Sequence, residues 1–215
     1  PALVHEHVLT PAILEPLHAL RPTDCDKRRF GHVLIVAGSR TMPGAALMCV
    51  LAALRSGAGL VTALVPENLV PAFAARAPEA MWLPASETPD GGIALENLTL
   101  VRAALGRATT LVVGPGLGRE RETQAFVQGL LALAECPVVL DADALQPAVL
   151  DTLGAKSSRP VVITPHAGEF ARLRGRTTAE PVTNAELMAF ALERSLTVVL
   201  KGPISRVSDG RRVYH

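Results

Sequence analysis

From Phe30 onward the chain alternates short apolar runs with longer mixed stretches, and glycine or proline closes most of the runs. Val33-Leu-Ile-Val-Ala37 ends at Gly38, and Leu60-Val-Thr-Ala-Leu-Val65 stops at Pro66. Thr110-Leu-Val-Val113, Pro137-Val-Val-Leu-Asp141, Pro160-Val-Val-Ile-Thr164 and Thr197-Val-Val-Leu200 repeat the pattern. Runs of this kind, without polar alternation, predict strands buried on both faces. Between them, Pro43-Gly44 opens a helix of small and aliphatic residues that ends near Ser56-Gly57. Further helices are predicted from about Glu120 to Leu133, near Glu169 to Leu173, and from Thr183 to Arg194. The last segment differs: Ile204 to Val207, the turn Ser208-Asp209-Gly210, and Arg211 to Tyr214 predict a β-hairpin by the Asp-Gly signal. Strands alternating with helices predict an α/β domain over 30–215, with a mainly parallel sheet covered on both faces. Residues 1–29, punctuated by Pro11, Pro16 and Pro22, read as an N-terminal arm or short helix lying on that domain.

Composition narrows the picture. The 215 residues are 49% hydrophobic but only 3% aromatic, so the core is built from small and aliphatic side chains. A net charge of +1 without any basic block argues against nucleic acid as partner, because phosphate neutralisation needs clustered Lys and Arg. The longest apolar run, Ala45 to Leu54, is far short of the roughly 20 residues of a membrane span. His5, Glu6 and His7 interrupt any early apolar run, so no signal peptide is expected. Cys25, Cys49 and Cys136 share no metal or redox spacing and predict reduced thiols in the cytoplasm. Because the first residue is Pro1 rather than Met, the chain is expected to be processed, trimmed or part of something longer.

In open α/β sheets, ligands bind at the carboxyl ends of the strands. Four strand-end segments therefore carry the candidate chemistry. The loop from Ala37 to Ala46 reaches a helix N-terminus through Gly44, where backbone N–H groups can meet an anion or simply form a tight turn. Gly114-Pro-Gly-Leu-Gly118 permits close backbone approach, and it matches neither a dinucleotide fingerprint nor a Walker loop. In Thr164-Pro-His-Ala-Gly-Glu169, an imidazole and a carboxylate sit at a helix start, as ligand groups or as caps. Lys201-Gly202 follows a strand end and suits a phosphate, or is a solvated turn. Asp141 and Asp143 are possible ligands or loop caps.

Taken in order, Phe30-Gly-His-Val-Leu-Ile-Val-Ala-Gly, Met42-Pro-Gly-Ala-Ala, Arg55-Ser-Gly-Ala-Gly-Leu-Val and Gly114-Pro-Gly-Leu-Gly begin a series. Leu140-Asp-Ala-Asp-Ala-Leu, Thr164-Pro-His-Ala-Gly-Glu and Leu200-Lys-Gly complete it. Over about residues 24–215 this series resembles the ADP-dependent NAD(P)H-hydrate dehydratases, a ribokinase-like family often labelled carbohydrate kinases. The resemblance implies a three-layer α/β sandwich and a repair enzyme. Such an enzyme spends ADP to remove water from the hydrated nicotinamide ring of NADHX or NADPHX, restoring NADH or NADPH. Phosphorylating the ring hydroxyl turns a poor leaving group into a good one, and Mg²⁺ would offset the phosphate charge.

Carried over by motif, Ala46, Gly116, Gly118 and His166 would surround the hydrated dinucleotide. Lys201, Gly202, Pro203, Ile204 and Ser205 would contact the adenine nucleotide, and Glu169 would organise Mg²⁺ or phosphate. Relatives usually carry a glycine after the lysine where this chain reads Lys27-Arg28-Arg29, a stretch at which substrate contacts are implied. The family's catalytic aspartate lies in a Gly-Thr-Gly-Asp loop after the hairpin. It would fall beyond His215, so the chain as given is expected to be a truncated, inactive form. A homotetramer and a fused N-terminal epimerase domain are further expectations. The alternatives are a sugar or vitamin-precursor kinase of the same superfold, and an inactive nucleotide-binding protein, since one fold hosts many functions.

Overall fold

The computed structural model describes residues 6–18, 21–154, 159–177 and 180–215. Ten strands form one sheet: β1 (Glu6–His7), β2 (His32–Val36), β3 (Leu60–Pro66), β4 (Met81–Ala85), β5 (Thr110–Val113), β6 (Val138–Leu140), β7 (Val161–Ile163), β8 (Thr197–Leu200), β9 (Arg206–Ser208) and β10 (Val213–Tyr214). Their order is β1-β10-β9-β8-β7-β6-β5-β2-β3-β4. From β4 to β8 every pairing is parallel, while β9 runs antiparallel to both β8 and β10. The hairpin predicted from Asp209-Gly210 is therefore present, although its first strand starts at Arg206 rather than Ile204.

Among the described residues, seven α-helices accompany the sheet: α1 (Pro43–Arg55), α2 (Val70–Arg76), α3 (Asn97–Leu105), α4 (Arg121–Leu133), α5 (Pro147–Asp151), α6 (Ala167–Leu173) and α7 (Asn184–Arg194). Proline stands at or beside the first position of α1, α2 and α5, where its missing N–H costs no hydrogen bond. Two layers of core result. Leu34, Val36, Leu111, Val113, Leu140 and Ile163 face the helices α3 to α7 through residues such as Phe126, Phe170 and Phe190. Ile35, Ala37, Val61 and Ala63 face α1 and α2 through Ala46, Val50 and Phe73. The sheet is thus mainly parallel with helices on both faces.

The second face is covered unevenly. Along β5 to β8 the residues turned toward the α3–α7 layer are buried, whereas Val112, Val139, Val162 and Val199, alternating with them, are only half-buried. Elements beyond the predicted ones appear: α2, β4, α3 and α5, and β1 within the arm. Met81-Trp-Leu-Pro-Ala85 is apolar throughout, but Pro84 inside it weakens the strand signal, and the segment is tolerated as a strand because it lies at the sheet edge.

Of the 1–29 arm, residues 1–5 and 19–20 lie outside the described residues. The remainder contributes β1, parallel to β10 through Glu6↔Val213 and His7↔Tyr214, and a 3₁₀ stretch over Pro11–His18. Pro16 inside that stretch has no N–H to donate, and the chain adopts the tighter helix rather than an α-helix.

Candidate functional site

The neighbouring strands β2, β5, β6, β7 and β8 end on one rim. Each delivers one of the segments singled out from the sequence. A continuous set of contacts joins them.

At the β2 end, Gly38 has φ of +81° and its N–H donates to the Pro115 carbonyl at 2.8 Å. A Cβ on Gly38 would come within 2.9 Å of the Ala46 methyl, so glycine lets the strand end approach the start of α1. Ala46 itself is fully buried in the core beneath this loop, so its side chain has no surface to offer a ligand. At the β5 end, the glycine loop performs three separate jobs. A Cβ on Gly114 would lie 1.8 Å from the Asp141 carbonyl oxygen, and one on Gly116 would lie 2.7 Å from the Met42 carbonyl oxygen. Both are packing glycines. Gly118 (φ +78°) faces open space, and its N–H donates to Asp143 Oδ2 at 3.1 Å.

The β6 end carries Asp141 and Asp143 on either side of Ala142, a non-glycine residue with φ of +52°. That left-handed step costs of order 1 kcal/mol and aims the two carboxylates in different directions. Asp143 turns back to Gly118 and accepts from Arg119 Nε at 3.1 Å. Asp141 turns across β7 and accepts from Lys201 Nζ at 2.7 Å. The same aspartate charge, after burial as the larger cause, pushes the Cys49 thiol up, so this cysteine stays protonated beneath the rim.

At the β7 end, His166 is the N-cap of α6. Its Nδ1 accepts from the Gly168 and Glu169 N–H groups at 3.0 and 3.3 Å, while Glu169 Oε2 accepts from the His166 N–H at 2.9 Å. This reciprocal capping box engages the Glu169 carboxylate, which is buried, and leaves the half-exposed imidazole edge of His166 at the rim. With Nδ1 accepting, Nε2 carries the proton and lies 3.4 Å from Glu169 Oε1. Among the described residues, no group of three or more His, Cys, Asp or Glu is arranged to hold a metal ion. A divalent ion here would rely on phosphate oxygens and water rather than on a protein cage.

At the β8 end, Lys201 bridges to His166 across the strand ends, and its N–H donates to the Pro165 carbonyl at 2.8 Å. Lys201, Gly202, Pro203 and Ile204 line an open cavity of about 280 Å³ together with Ala167, Glu180 to Val182, Leu200 and Arg206. Ser205 is exposed next to it.

Lys27 lies elsewhere. Its carbonyl oxygen abuts Gly59 at the N-terminal end of β3, on the opposite edge of the sheet from the rim. Within one chain, the substrate contacts expected near Lys27-Arg28-Arg29 are therefore not part of the rim. Sequence reasoning also missed Arg119 and the Asp141–Lys201 pair. Arg119 directly follows Gly118, which was a usable signal. Nothing in the sequence links residues 60 positions apart, as Asp141 and Lys201 are.

A mainly parallel sheet with helices on both faces, and glycine loops and charged side chains gathered at its carboxyl rim, defines a ribokinase-like α/β protein. A ribokinase-like superfamily protein from Enterococcus faecalis shares that fold with a TM-score of 0.84 and 27% identity, over 100% of this chain and 72% of that one. The NAD(P)H-hydrate dehydratase family model, of carbohydrate-kinase type, matches residues 33–211, and the chain belongs to that family. The bifunctional NAD(P)H-hydrate repair enzyme of Moorella thermoacetica is 38% identical over 179 residues, 82% of this chain and 34% of the relative. The ADP-dependent (S)-NAD(P)H-hydrate dehydratase of Xanthomonas campestris is 38% identical over 194 residues, 88% of this chain and 65% of the relative. The chain thus spans about a third of the first relative and just under two thirds of the second. The ADP/ATP-dependent NAD(P)H-hydrate dehydratase of Bacillus subtilis, co-crystallised with ATP and Mg²⁺, aligns with a TM-score of 0.77 and 28% identity, over 97% of this chain and 71% of that one.

Proposed function

We propose that the protein repairs nicotinamide cofactors by ADP-dependent dehydration of NADHX and NADPHX. The observation that carries this reading is the rim itself. Gly118, His166 and Lys201, three residues far apart in sequence, stand at the ends of neighbouring or next-neighbouring strands and are linked through Asp143, Asp141 and Pro165. Membership of the dehydratase family and relatives bearing that activity in their names support it.

In this reading, the Lys201 ammonium and the cavity beside Gly202 to Ile204 receive the nucleotide phosphates and adenine. The open Gly118 loop and the His166 edge receive the hydrated dinucleotide, with Gly116 and Ala46 shaping the ground beneath it. The hydroxyl of the hydrated ring gives up its proton and attacks the terminal phosphorus of ADP, AMP departs, and loss of phosphate together with a proton from the adjacent ring carbon restores the double bond. Lys201 stabilises charge on the phosphates, while Asp141 holds the ammonium in place until they arrive. Mg²⁺ is proposed to arrive on the nucleotide. Glu169, engaged in its capping box, orients His166 and supports the site from below. The catalytic aspartate is proposed to lie in a glycine-rich loop after the β9–β10 hairpin. A homotetramer in the cytoplasm, and in some arrangements a fused epimerase domain, complete the proposal.

The test has two parts. Calorimetry should show ADP binding weakened in Lys201→Ala with the fold intact, because an ion pair with side chains 43% and 29% exposed contributes under about 1 kcal/mol to stability. Unchanged ADP affinity would remove the phosphates from this position. The protein as encoded should then generate NADH absorbance from NADH hydrate and ADP. A stable phosphorylated product would instead identify a small-molecule kinase.

A further inference from the structure

At the edge of the sheet away from the rim, the N-terminal ends of β2, β3 and β4 enclose a cavity of about 550 Å³. Three of its lining residues are cations: Lys27, Arg28 and Arg107. The rest of the wall is His32, Leu60, Met81 and Thr109, with no carboxylate among them. Elsewhere, Arg40, Arg119, Arg176, Arg194 and Lys201 each meet a carboxylate. Lys27, Arg28 and Arg107 have no such partner among the described residues. The nearest acid in sequence, Asp26, uses its Oδ1 to accept from the Arg28 backbone N–H at 2.6 Å as the cap of a short turn.

The backbone that carries these cations is held firmly. A Cβ on Gly59 would lie 1.7 Å from the Lys27 carbonyl oxygen, so that turn is seated directly on the start of β3. Thr109 Oγ1 accepts from the His32 N–H at 2.8 Å, and His32 Nε2 shares a 2.7 Å hydrogen bond with Thr62. The His32 ring is also hydrogen-bonded to the Arg107 backbone, and burial, then the Arg107 charge, holds its pKa below the usual imidazole value. The lining therefore combines a neutral ring and two apolar side chains with three cationic residues.

We propose that this cavity is a second binding site, for a phosphate monoester whose organic part is apolar or flat. Three cations around one concavity whose lining holds no carboxylate concentrate anions there. Arginine pairs with phosphate in a two-pronged geometry that a solvated surface lysine does not provide. The imidazole face, Leu60 and Met81 supply contact for the organic part, which inorganic phosphate cannot use. This site stands apart from the rim and does not depend on the reaction proposed there.

The experiment titrates the 215-residue chain with phenyl phosphate and, separately, with inorganic phosphate at physiological salt, following backbone amide shifts by NMR. Saturable shifts are expected at His32, Leu60, Met81 and Arg107, with phenyl phosphate the tighter ligand. Arg28→Gln and Arg107→Gln should each weaken it about tenfold, the loss of one charge-assisted hydrogen bond. The combined Lys27→Gln, Arg28→Gln, Arg107→Gln variant, checked for folding by circular dichroism, should abolish the shifts, and Lys201→Ala should leave them unchanged. Equal affinity for the two probes would remove the apolar-body assignment. Absence of saturation at these residues, or retention of binding in the triple variant, would overturn the site.

Discussion

Gly114 and Gly118 are four positions apart and both have positive φ, yet they answer to different constraints. At Gly114 a methyl group would penetrate the Asp141 carbonyl oxygen, and at Gly118 it would meet nothing within 4 Å. Gly114→Ala should therefore cost more than about 4 kcal/mol or abolish cooperative folding. Gly118→Ala should cost only the about 1–2 kcal/mol of a left-handed alanine. Urea denaturation of both variants checks the contrast, and equal losses would show that the loop is not packed on the β6 end as described. The sequence marked all three glycines of this loop as places of close approach. Which of them face the core and which face solvent depended on Asp141, 27 residues away from Gly114, and could not be read locally. Ala46 shows the same limit: its motif was legible, but its burial beneath Gly38 was not.

At the scale of elements, two helices are started by capping boxes, α6 by His166 with Glu169 and α7 by Thr183 with Glu186. His166 was legible as either a ligand group or a cap, and the structure makes it a cap whose imidazole is half-exposed, with Nε2 beside Glu169. The two roles separate by substitution. His166→Ala should lose about 1 kcal/mol of stability. His166→Asn should keep the cap and most of the stability, while removing the imidazole from the rim. Thermal melts of both variants decide this. For α7, the Thr183 N–H, then the Arg176 guanidinium and the Thr183 hydroxyl, bring the Glu186 carboxyl down to about 2. Its pKa in the folded chain lies below the unfolded value of 4.5, so the stabilisation is present above about pH 4.5 and is lost as the pH falls toward 2. Denaturant midpoints measured across that window should fall for the native chain and fall less steeply in Glu186→Gln, the remainder coming from groups such as Asp209, whose carboxyl the Arg211 and Arg212 N–H groups also hold low. The elements missed in the sequence, α2, β4, α3 and α5, are nine residues long or shorter, and β4 carries a proline, so each offers too little local pattern to read.

For the whole molecule, the alternation along β5 to β8 predicts two classes of core position. Ile163 is fully buried against the α3–α7 layer, whereas its neighbour Val162 is half-buried on the other face. Ile163→Val should cost about 0.5–1.5 kcal/mol, and Val162→Thr should stay within about 0.5 kcal/mol. Equal costs by chemical denaturation would mean that both faces are covered alike. The sequence read these strands as buried on both sides because every residue in them is apolar. Apolar content states that burial is tolerated. It does not state how completely a facing layer supplies it.

The order of residues alone determined the alternation of strand and helix, the closing hairpin, and the glycine and charged residues placed after each apolar run, because periodicity, turn chemistry and capping act over a few neighbours. Only the tertiary structure decided which strands lie side by side, that Lys201 meets Asp141, that Glu169 turns inward to His166, and that Lys27, Arg28 and Arg107 surround a second cavity at the far edge. Those outcomes depend on how distant segments pack across the sheet, and chain distance carries no record of that.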